Sequence, residues 1–253
     1  MTFKTNSPEV IARGLARGSS AKSPIGAVLL LGSPGVGKGT QAKELSRLWN
    51  IPRISTGDQL RNHVAHGTPL GRRVKAIMER GELVPDSLIT EMVKSRLLKP
   101  DTRRGYILDG FPRTIDQANW LIERLARPRS LLPIFAVRIY LSRTQLLRRI
   151  TGRRHCPVCQ TSFHIYDNRP KREGLCDRDD TVLIQRPDDT EEVLGRRLVL
   201  HDALTAPVIR YFQTRGQFAD VTGDGPIEWI TGRIIEAVDT LSLPGETCLG
   251  QLQ

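Results

Sequence analysis

The 253-residue sequence has few cysteines and no long apolar run, and each shortage excludes a class of protein. No stretch approaches the roughly 18 apolar residues of a membrane-spanning helix, so the sequence predicts none. Four cysteines are present: Cys156, Cys159 and Cys176 lie close together, and Cys248 stands alone. That spacing is unlike a secreted disulfide framework and is typical of a metal site in a reducing compartment.

Positive charge is what the sequence has in excess. Lysine and arginine number 38 against 27 acidic residues, which gives a formal net charge of +11, and most of the 38 are arginine. Because arginine favours bidentate contacts to phosphate, the excess indicates an anionic partner, either nucleic acid or a polyphosphate. Hydrophobic residues make up 39% and charged residues 26%, a globular balance that excludes disordered and fibrous classes.

Short apolar runs alternate with amphipathic segments, which predicts an α/β fold whose parallel sheet is covered by helices. The predicted strands are residues 27–31, 106–108, 134–141 and 218–221. The predicted helices are residues 38–49, 58–66, 70–80, 87–98, 115–126, 145–151, 190–214 and 227–241. Residues 1–24 form a basic extension, expected to be disordered or else to serve organelle targeting, and residues 243–253 form a C-terminal tail.

A glycine-rich turn follows the first predicted strand and opens a helix: Gly32-Ser-Pro-Gly-Val-Gly-Lys-Gly-Thr40. Its glycines let backbone N–H groups approach phosphates, Lys38 adds a point charge, and the helix N-terminus adds its dipole. The general motif has Ser or Thr directly after the lysine, whereas here Gly39 intervenes. The segment predicts a phosphate-binding loop of a particular family.

Three further segments bear polar residues at turns or helix starts: Ile54-Ser-Thr-Gly-Asp-Gln-Leu-Arg61, Gly81-Glu-Leu-Val-Pro-Asp86 and Gly105-Tyr-Ile-Leu-Asp-Gly-Phe-Pro-Arg-Thr114. Thr56 is a candidate cap for the helix of the first segment. In the third, a buried strand ends in Asp109 and the turn after it presents Arg113. Gln117 lies one helical turn later on the same face. An arginine and a glutamine presented together suit a phosphate and a base edge.

With these motifs in this order, residues 26–240 resemble the adenylate kinases, a family of P-loop nucleoside monophosphate kinases. The resemblance implies a five-stranded parallel sheet in a core of residues 25–54, 85–151 and 190–242. It also implies an AMP-binding insertion over 55–84 and a lid over 152–189. The implied reaction is reversible, Mg²⁺-dependent phosphoryl transfer from ATP to AMP, which gives two ADP without a covalent intermediate.

The resemblance assigns roles to individual residues. The implied ATP-binding residues are Gly35, Val36, Gly37, Lys38, Gly39, Thr40, Arg149, Arg153, Ser162, Phe163 and Gly225, with the ring of Phe163 available to stack on adenine. The implied AMP-binding residues are Thr56, Arg61, Glu82, Leu83, Val84, Gly110, Phe111, Pro112, Arg113, Gln117, Arg186 and Arg197. The implied catalytic residues are Lys38, Arg113, Arg149, Arg153, Arg186 and Arg197. Asp58 and Asp109 are expected to order the waters around Mg²⁺.

The lid segment carries two short-spaced pairs of metal-ligand residues, Cys156-Pro-Val-Cys159 and Cys176-Asp-Arg-Asp179. This spacing suits a structural, tetrahedral Zn²⁺ with Asp179 as the fourth ligand. His155 and His164 are alternative fourth ligands, and three free thiols in a hydrogen-bonded lid are the alternative to a metal site. Zinc would hold together a lid that is too small to bury a core of its own.

The sequence is also consistent with two other functions. A kinase of the same fold could use another nucleotide pair, either GTP with AMP or ATP with UMP or CMP. A basic zinc-ribbon protein that binds nucleic acid would also fit the sequence pI near 10. For the kinase we expect a monomer without membrane or nucleic-acid partners, located in the cytoplasm or, as second choice because of its basic extension, the mitochondrion.

Overall fold

The computed structural model describes residues 26–125 and 132–242, so the two predicted tails lie outside the described residues. Its strands are β1 (Gly26–Leu31), β2 (Arg53–Ser55), β3 (Gly105–Asp109), β4 (Ile134–Tyr140), β5 (Arg153–His155), β6 (Ser162–His164) and β7 (Phe218–Thr222). Five of them form one sheet in the order β2-β3-β1-β4-β7, and every neighbouring pair is parallel. The predicted five-stranded parallel sheet is therefore confirmed.

Helices cover both faces of this sheet. They are α1 (Lys38–Trp49), α2 (Thr56–Ala65), α3 (Pro69–Glu79), α4 (Asp86–Leu97), α5 (Ile115–Leu125), α6 (Arg143–Thr151), α7 (Glu191–Leu200), α8 (Ala206–Gln213) and α9 (Ile227–Ser242). A 3₁₀ turn spans Pro100–Thr102 and a π-helical turn spans His201–Thr205. In the described ranges, none of these helices is both long and apolar enough to cross a membrane.

The prediction of helices and strands missed β5 and β6 in the lid segment and was wrong in two places in the core. The single helix predicted over 190–214 is interrupted by the π-helical turn, just before Pro207 in the first turn of α8. Proline has no N–H to donate to the preceding turn, so the α-helical hydrogen-bond series cannot run through it. Strand β2 was also missed, because it is a three-residue edge strand whose only aliphatic residue is Ile54.

Two apolar cores lie on opposite faces of the sheet, and β1 contributes to both. Val28 and Leu30 pack on the face covered by α1 and α9, whereas Leu29 and Leu31 pack on the opposite face. This alternation follows from the two-residue period of a strand. A third, small cluster lies in the lid segment and includes Phe163 with two of the cysteines. The β5–β6 hairpin of that segment is antiparallel.

Candidate active site

The loop between β1 and α1 is shaped by glycines with positive φ. A Cβ on Gly32 (φ 126°) would lie 2.1 Å from the Ile139 carbonyl oxygen, so only glycine fits there. Lys38 Nζ reaches back across the loop and donates to the carbonyls of Gly32 (2.7 Å) and Ser33 (2.8 Å). Burial lowers the pKa of Lys38 to about 7; the carboxylate of Asp109 opposes this shift, and the guanidinium groups of Arg113, Arg197 and Arg153 add to it. The loop therefore disfavours the charged form of Lys38 until an anionic ligand binds.

Arg113 and Gln117 meet across the turn after β3, as their spacing predicts. The Arg113 N–H donates to Gln117 Oε1 (2.8 Å), and Arg113 Nε donates to the Gly110 carbonyl (2.9 Å). Thr56 Oγ1 donates to the same carbonyl (3.1 Å). The predicted capping role of Thr56 is wrong: Ser55 caps α2 by accepting from the Asp58 N–H (3.3 Å), which leaves the Thr56 hydroxyl free to tie α2 to the turn.

Two adjoining cavities lie at the carboxyl ends of β1 and β3. One, with about 610 Å³ of empty space that is partly open to solvent, is lined by residues that include Thr56, Arg61, Val84 and Gln117. The other, with about 530 Å³ of such space, is lined by residues that include Lys38, Gly32, Pro34 and His201. Both cavities share the walls formed by Gly81, Leu83, Gly110, Arg113 and Arg197. Two ligands bound in these cavities would therefore meet between Arg113 and Arg197.

Asp58 and Asp109 meet at Arg53, a residue that the sequence analysis did not single out. Arg53 Nη2 lies 2.7 Å from Asp58 Oδ2 and 2.7 Å from Asp109 Oδ2. Burial raises the pKa of Asp58, but the guanidinium groups of Arg61 and Arg53 outweigh it and hold that pKa well below its usual range. A Cβ on Gly39 would lie 3.4 Å from Asp109 Oδ2, so this acidic corner borders the glycine loop. Its ionised oxygens suit a hydrated Mg²⁺.

Replacing Arg53 with Gln should lower the free energy of unfolding by about 1–3 kcal/mol, because the half-buried carboxylate of Asp58 and the buried carboxylate of Asp109 lose their shared cation. The pKa of Asp58 is depressed in the folded state, so this loss should be full at neutral pH, begin to shrink as pH falls below about 4, and vanish only as pH falls through the depressed folded-state pKa. Urea unfolding in Mg²⁺-free buffer measures it. Arg47→Gln is the control, since its pair with Glu44 is exposed; an equal loss in both variants would contradict the prediction.

The arginines that flank and enter the lid segment converge on the same cleft. Arg153 pairs with Asp189 (Nε to Oδ2, 2.7 Å), and Arg197 pairs with Asp188 (2.8 Å). Arg149 donates to the Gly223 carbonyl (2.7 Å), and its guanidinium lies over Gly37 of the loop. Asp188 and Asp189 were missed by sequence reasoning, although they directly follow Arg186-Pro187.

Positive charge is left over after these pairings. Among residues 26–125 and 132–242, four cations of the cleft have no carboxylate within 4.0 Å: Lys38, Arg113, Arg149 and Arg186. Burial, followed by the nearby Arg197, lowers the pKa of Arg113 to about 10. Burial, followed by Arg61 and Arg153, lowers the pKa of Arg186 to about 10. Such a cleft is suited to hold the negative charge of phosphate groups.

Comparison with known proteins agrees with this geometry. A family model described as adenylate kinase matches residues 30–217. The chain belongs to the adenylate kinase family. An adenylate kinase of Anaeromyxobacter sp. (strain K) is 46% identical over 203 residues, which cover 80% of this chain and 94% of that relative. Those of Acholeplasma laidlawii and Methanocella arvoryzae are 42% and 43% identical, over 84% and 85% of this chain and 97% and 99% of theirs.

As a member of the adenylate kinase family, the protein is a nucleoside monophosphate kinase. Most of the implied site residues lie in the glycine loop or in the walls of the two cavities. Gly35–Thr40 form the loop, and Thr56, Arg61, Leu83, Val84, Gly110, Arg113 and Gln117 line the 610 Å³ cavity. The Glu82 side chain points away to Arg80 (2.7 Å), so Glu82 can face the cavity only through its backbone. Pro112 lines the 530 Å³ cavity, and Phe111 is buried against the edge of Trp120.

The lid covers the ring of Phe163, for which stacking on adenine is implied. The residue is 6% exposed and packs with Leu183, Cys156 and Cys176 in the lid cluster, so its ring has no open face for an adenine in this arrangement. Ser162 is half-buried on β6, and Gly225 lies in the loop after β7 against the ring of Trp229.

The lid of this kinase brings four metal-ligand side chains together. Single ligand atoms of Cys156, Cys159, Cys176 and Asp179 all lie within 4.8 Å of one another. His155 and His164 have other partners: Arg186 contacts His155 Nδ1 (3.1 Å), and His164 Nε2 lies 3.1 Å from the Arg148 carbonyl. Of the candidates for a fourth ligand, the geometry therefore favours Asp179.

Two matched turns carry these ligands. The Gln160 N–H donates to the Cys156 carbonyl (3.2 Å), and the Asp180 N–H donates to the Cys176 carbonyl (3.0 Å). Gln160 and Asp180 both adopt positive φ, 60° and 55°. Backbone N–H groups also point at sulfur, from residue 159 to Cys156 Sγ (3.4 Å) and from residue 178 to Cys176 Sγ (3.5 Å). N–H groups aimed at sulfur stabilise the thiolate form that Zn²⁺ requires, so the residues fit this metal.

Proposed function

We propose that the protein catalyses reversible, Mg²⁺-dependent transfer of a phosphoryl group from ATP to AMP, which gives two ADP. The observation that carries the proposal is the excess of positive charge where the two cavities meet, at Arg113 and Arg197. Phosphates of a donor and an acceptor would neutralise that charge only when both nucleotides are bound. These cations would then stabilise the transition state most strongly, because negative charge is concentrated between the two nucleotides at that point.

The 610 Å³ cavity supports the binding of AMP. Arg61 and Arg113 would contact its phosphate, and Gln117 with the backbone of Glu82–Val84 would border the base. The phosphate of AMP is an ionised nucleophile at neutral pH, so the reaction needs no general base from the protein. What the chain must supply is alignment of the attacking oxygen with the phosphorus of the donor.

The glycine loop supports the binding of the ATP phosphates. Backbone N–H groups of Gly35–Thr40 and the ammonium of Lys38 would contact them, and Arg149 and Arg153 would approach from the lid side. Asp58 and Asp109 would hold the waters around Mg²⁺, and the metal would supply positive charge to the donor phosphates. Arg53 would have to share or release those carboxylates as the nucleotide enters.

We further propose that residues 25–54, 85–151 and 190–242 act as a core, with an acceptor insertion over 55–84 and a moving lid over 152–189. Lys43 Nζ on α1 donates to the Gln160 carbonyl of the lid (2.7 Å), so the lid rests against the core. A closed lid excludes water that would otherwise hydrolyse ATP. One chain supplies every residue of the site, which supports action as a monomer.

The lid would be held by a structural Zn²⁺ on Cys156, Cys159, Cys176 and Asp179. Four protein ligands leave no open position for a reacting water, so the metal would stabilise the lid without taking part in phosphoryl transfer. The small apolar cluster around Phe163 supports this need for a metal.

Cys156→Ser should lose most of the zinc and destabilise the lid. Elemental analysis of protein prepared without chelator is expected to give about one zinc per chain for the parent and much less for the variant. Cys248→Ser is the matched control, and it should keep the metal. Parent protein without zinc would contradict the proposal.

A panel of nucleotides tests the function. Purified protein is assayed with ATP or GTP as donor and with AMP, UMP or CMP as acceptor, and the products are separated by chromatography. We expect AMP to be the preferred acceptor, because the cavity combines Thr56 and Gln117 with backbone contacts. Preferred transfer to UMP or CMP, or from GTP, would favour a related kinase. Salt-dependent binding of an oligonucleotide without any transfer would favour the nucleic-acid-binding alternative.

A further inference from the structure

The π-helical turn His201–Thr205 puts a histidine in the wall of the 530 Å³ cavity. π-helical turns are rare in proteins, and those that do occur often lie at functional sites. This turn is tied to the acceptor side, because Thr205 Oγ1 donates to the Arg113 carbonyl (3.0 Å). None of the roles above uses His201.

One nitrogen of the His201 ring lacks a partner. The side chain is 11% exposed, and Nδ1 lies 3.2 Å from Asp202 Oδ1. Nε2 is fully buried and makes no hydrogen bond with the described residues. A buried polar atom without a hydrogen-bond partner lowers stability by roughly 1–3 kcal/mol, so an unpaired Nε2 at this position requires an explanation. The ring borders the same cavity as Lys38, Arg113 and Arg197, which are the cations expected to meet phosphate.

The surrounding charges favour a neutral ring in the absence of a nucleotide. Burial lowers the pKa of His201, as do Lys38 at the start of α1 and Arg113 in the turn after β3, whereas Asp202 on the same π-helical turn raises it. Arg197 on α7 adds a further positive charge to the cavity wall. In the neutral ring the carboxylate of Asp202 favours a proton on Nδ1, which leaves a lone pair on Nε2. A phosphate oxygen only accepts hydrogen bonds, so it can pair with Nε2 only if that nitrogen is protonated.

We propose that His201 is a further phosphate-binding residue whose Nε2 takes up a proton from solvent and donates a hydrogen bond to a nucleotide phosphate. The proposal rests on the proposed function. A phosphate dianion in the cavity offsets the charges of Lys38, Arg113 and Arg197, and the imidazolium becomes favourable. Nucleotide binding is therefore accompanied by uptake of a proton. The affinity for the nucleotide should rise as pH falls from about 8 towards 6.

Calorimetry tests this proton uptake. ATP is titrated into the full chain at pH 6.5 in two Mg²⁺-free buffers of different ionisation enthalpy, and the protons taken up are compared between the parent and His201→Gln. ATP has its own terminal-phosphate ionisation, which is common to both proteins and cancels in the difference. We expect the parent to take up about 0.5–1 proton more than the variant. We also expect the ATP KM of the variant to rise roughly 3- to 10-fold at pH 6.5 and to approach that of the parent at pH 8.5.

Controls separate this proposal from the proposed function. His66→Gln changes an exposed histidine and should keep the parental uptake. His201→Phe, which keeps a ring, should lose the uptake if His201→Gln does not fold. Equal uptake in the parent and both His201 variants, with ATP binding and phosphoryl transfer intact, would overturn the role of His201 alone. A parent that neither binds ATP nor transfers a phosphoryl group would overturn the proposed function as well.

Discussion

Replacing Lys38 with Met should reduce phosphoryl transfer by about 10²–10³-fold or more, while the nucleotide-free protein stays folded. Lys38 is the one ammonium group in the glycine loop, and a methionine of similar length keeps its packing without its charge. Steady-state rates with ATP and AMP measure the first effect. Lys75→Met, which changes an exposed lysine on α3, should keep the parental rate. A Lys38 variant with more than about a tenth of the parental rate would contradict the role.

Lys38→Met should also change how the free energy of unfolding depends on pH. The folded-state pKa of Lys38, about 7, lies below its ordinary value of 10.5, so folding must release a proton between these two pH values. The free energy of unfolding of the parent should therefore rise from pH 7 to pH 9 relative to the methionine variant. Urea unfolding at the two pH values measures the difference. The lost hydrogen bonds to Gly32 and Ser33 lower the stability of the variant by a similar amount at both values, so they do not affect the trend.

Replacing Arg113 with Ala should raise the AMP KM and lower kcat, with a combined loss of about 10²–10⁴-fold in kcat/KM for AMP. Arg113 stands in the wall between the two cavities, where an acceptor phosphate and the transferred group would meet. It has no carboxylate partner within ion-pair distance among the described residues, so its charge is available to substrate. Kinetics with each nucleotide varied in turn should leave the ATP KM nearly unchanged.

Two comparisons sharpen the Arg113 test. Arg113→Lys keeps the charge but not the bidentate geometry, so its activity should lie between those of the parent and the alanine variant. Arg143→Ala removes an exposed arginine from α6 and should keep parental kinetics. Unchanged AMP kinetics in Arg113→Ala would show that the acceptor phosphate binds elsewhere.

The parts of the site that the sequence predicts are those fixed by local chemistry. The glycine loop follows a fully apolar strand and opens a helix, so its position needs no tertiary information. Arg113 and Gln117 are four residues apart at the start of a helix, and that spacing alone brings them together. The paired turns of the lid are likewise specified by the spacing of Cys156 and Cys159.

The parts that escaped prediction depend on chain crossings. Arg53 contacts Asp109 only because β2 lies beside β3 in the sheet. His201 reaches the cavity only because a π-helical turn follows α7. Phe163 looks like an exposed aromatic in a polar segment, yet the folded lid covers it. Nothing in the local pattern at these positions specifies the neighbours that the fold supplies.

Incubation with ADP and Mg²⁺ alone tests the central claim most directly. An enzyme that holds one nucleotide in each cavity and transfers a phosphoryl group between them must convert two ADP into one ATP and one AMP. Phosphorus NMR is expected to show ATP and AMP appearing in equal amounts in the presence of the parent protein, and neither product with Lys38→Met. Unchanged ADP, or release of AMP with inorganic phosphate instead of ATP, would contradict the account.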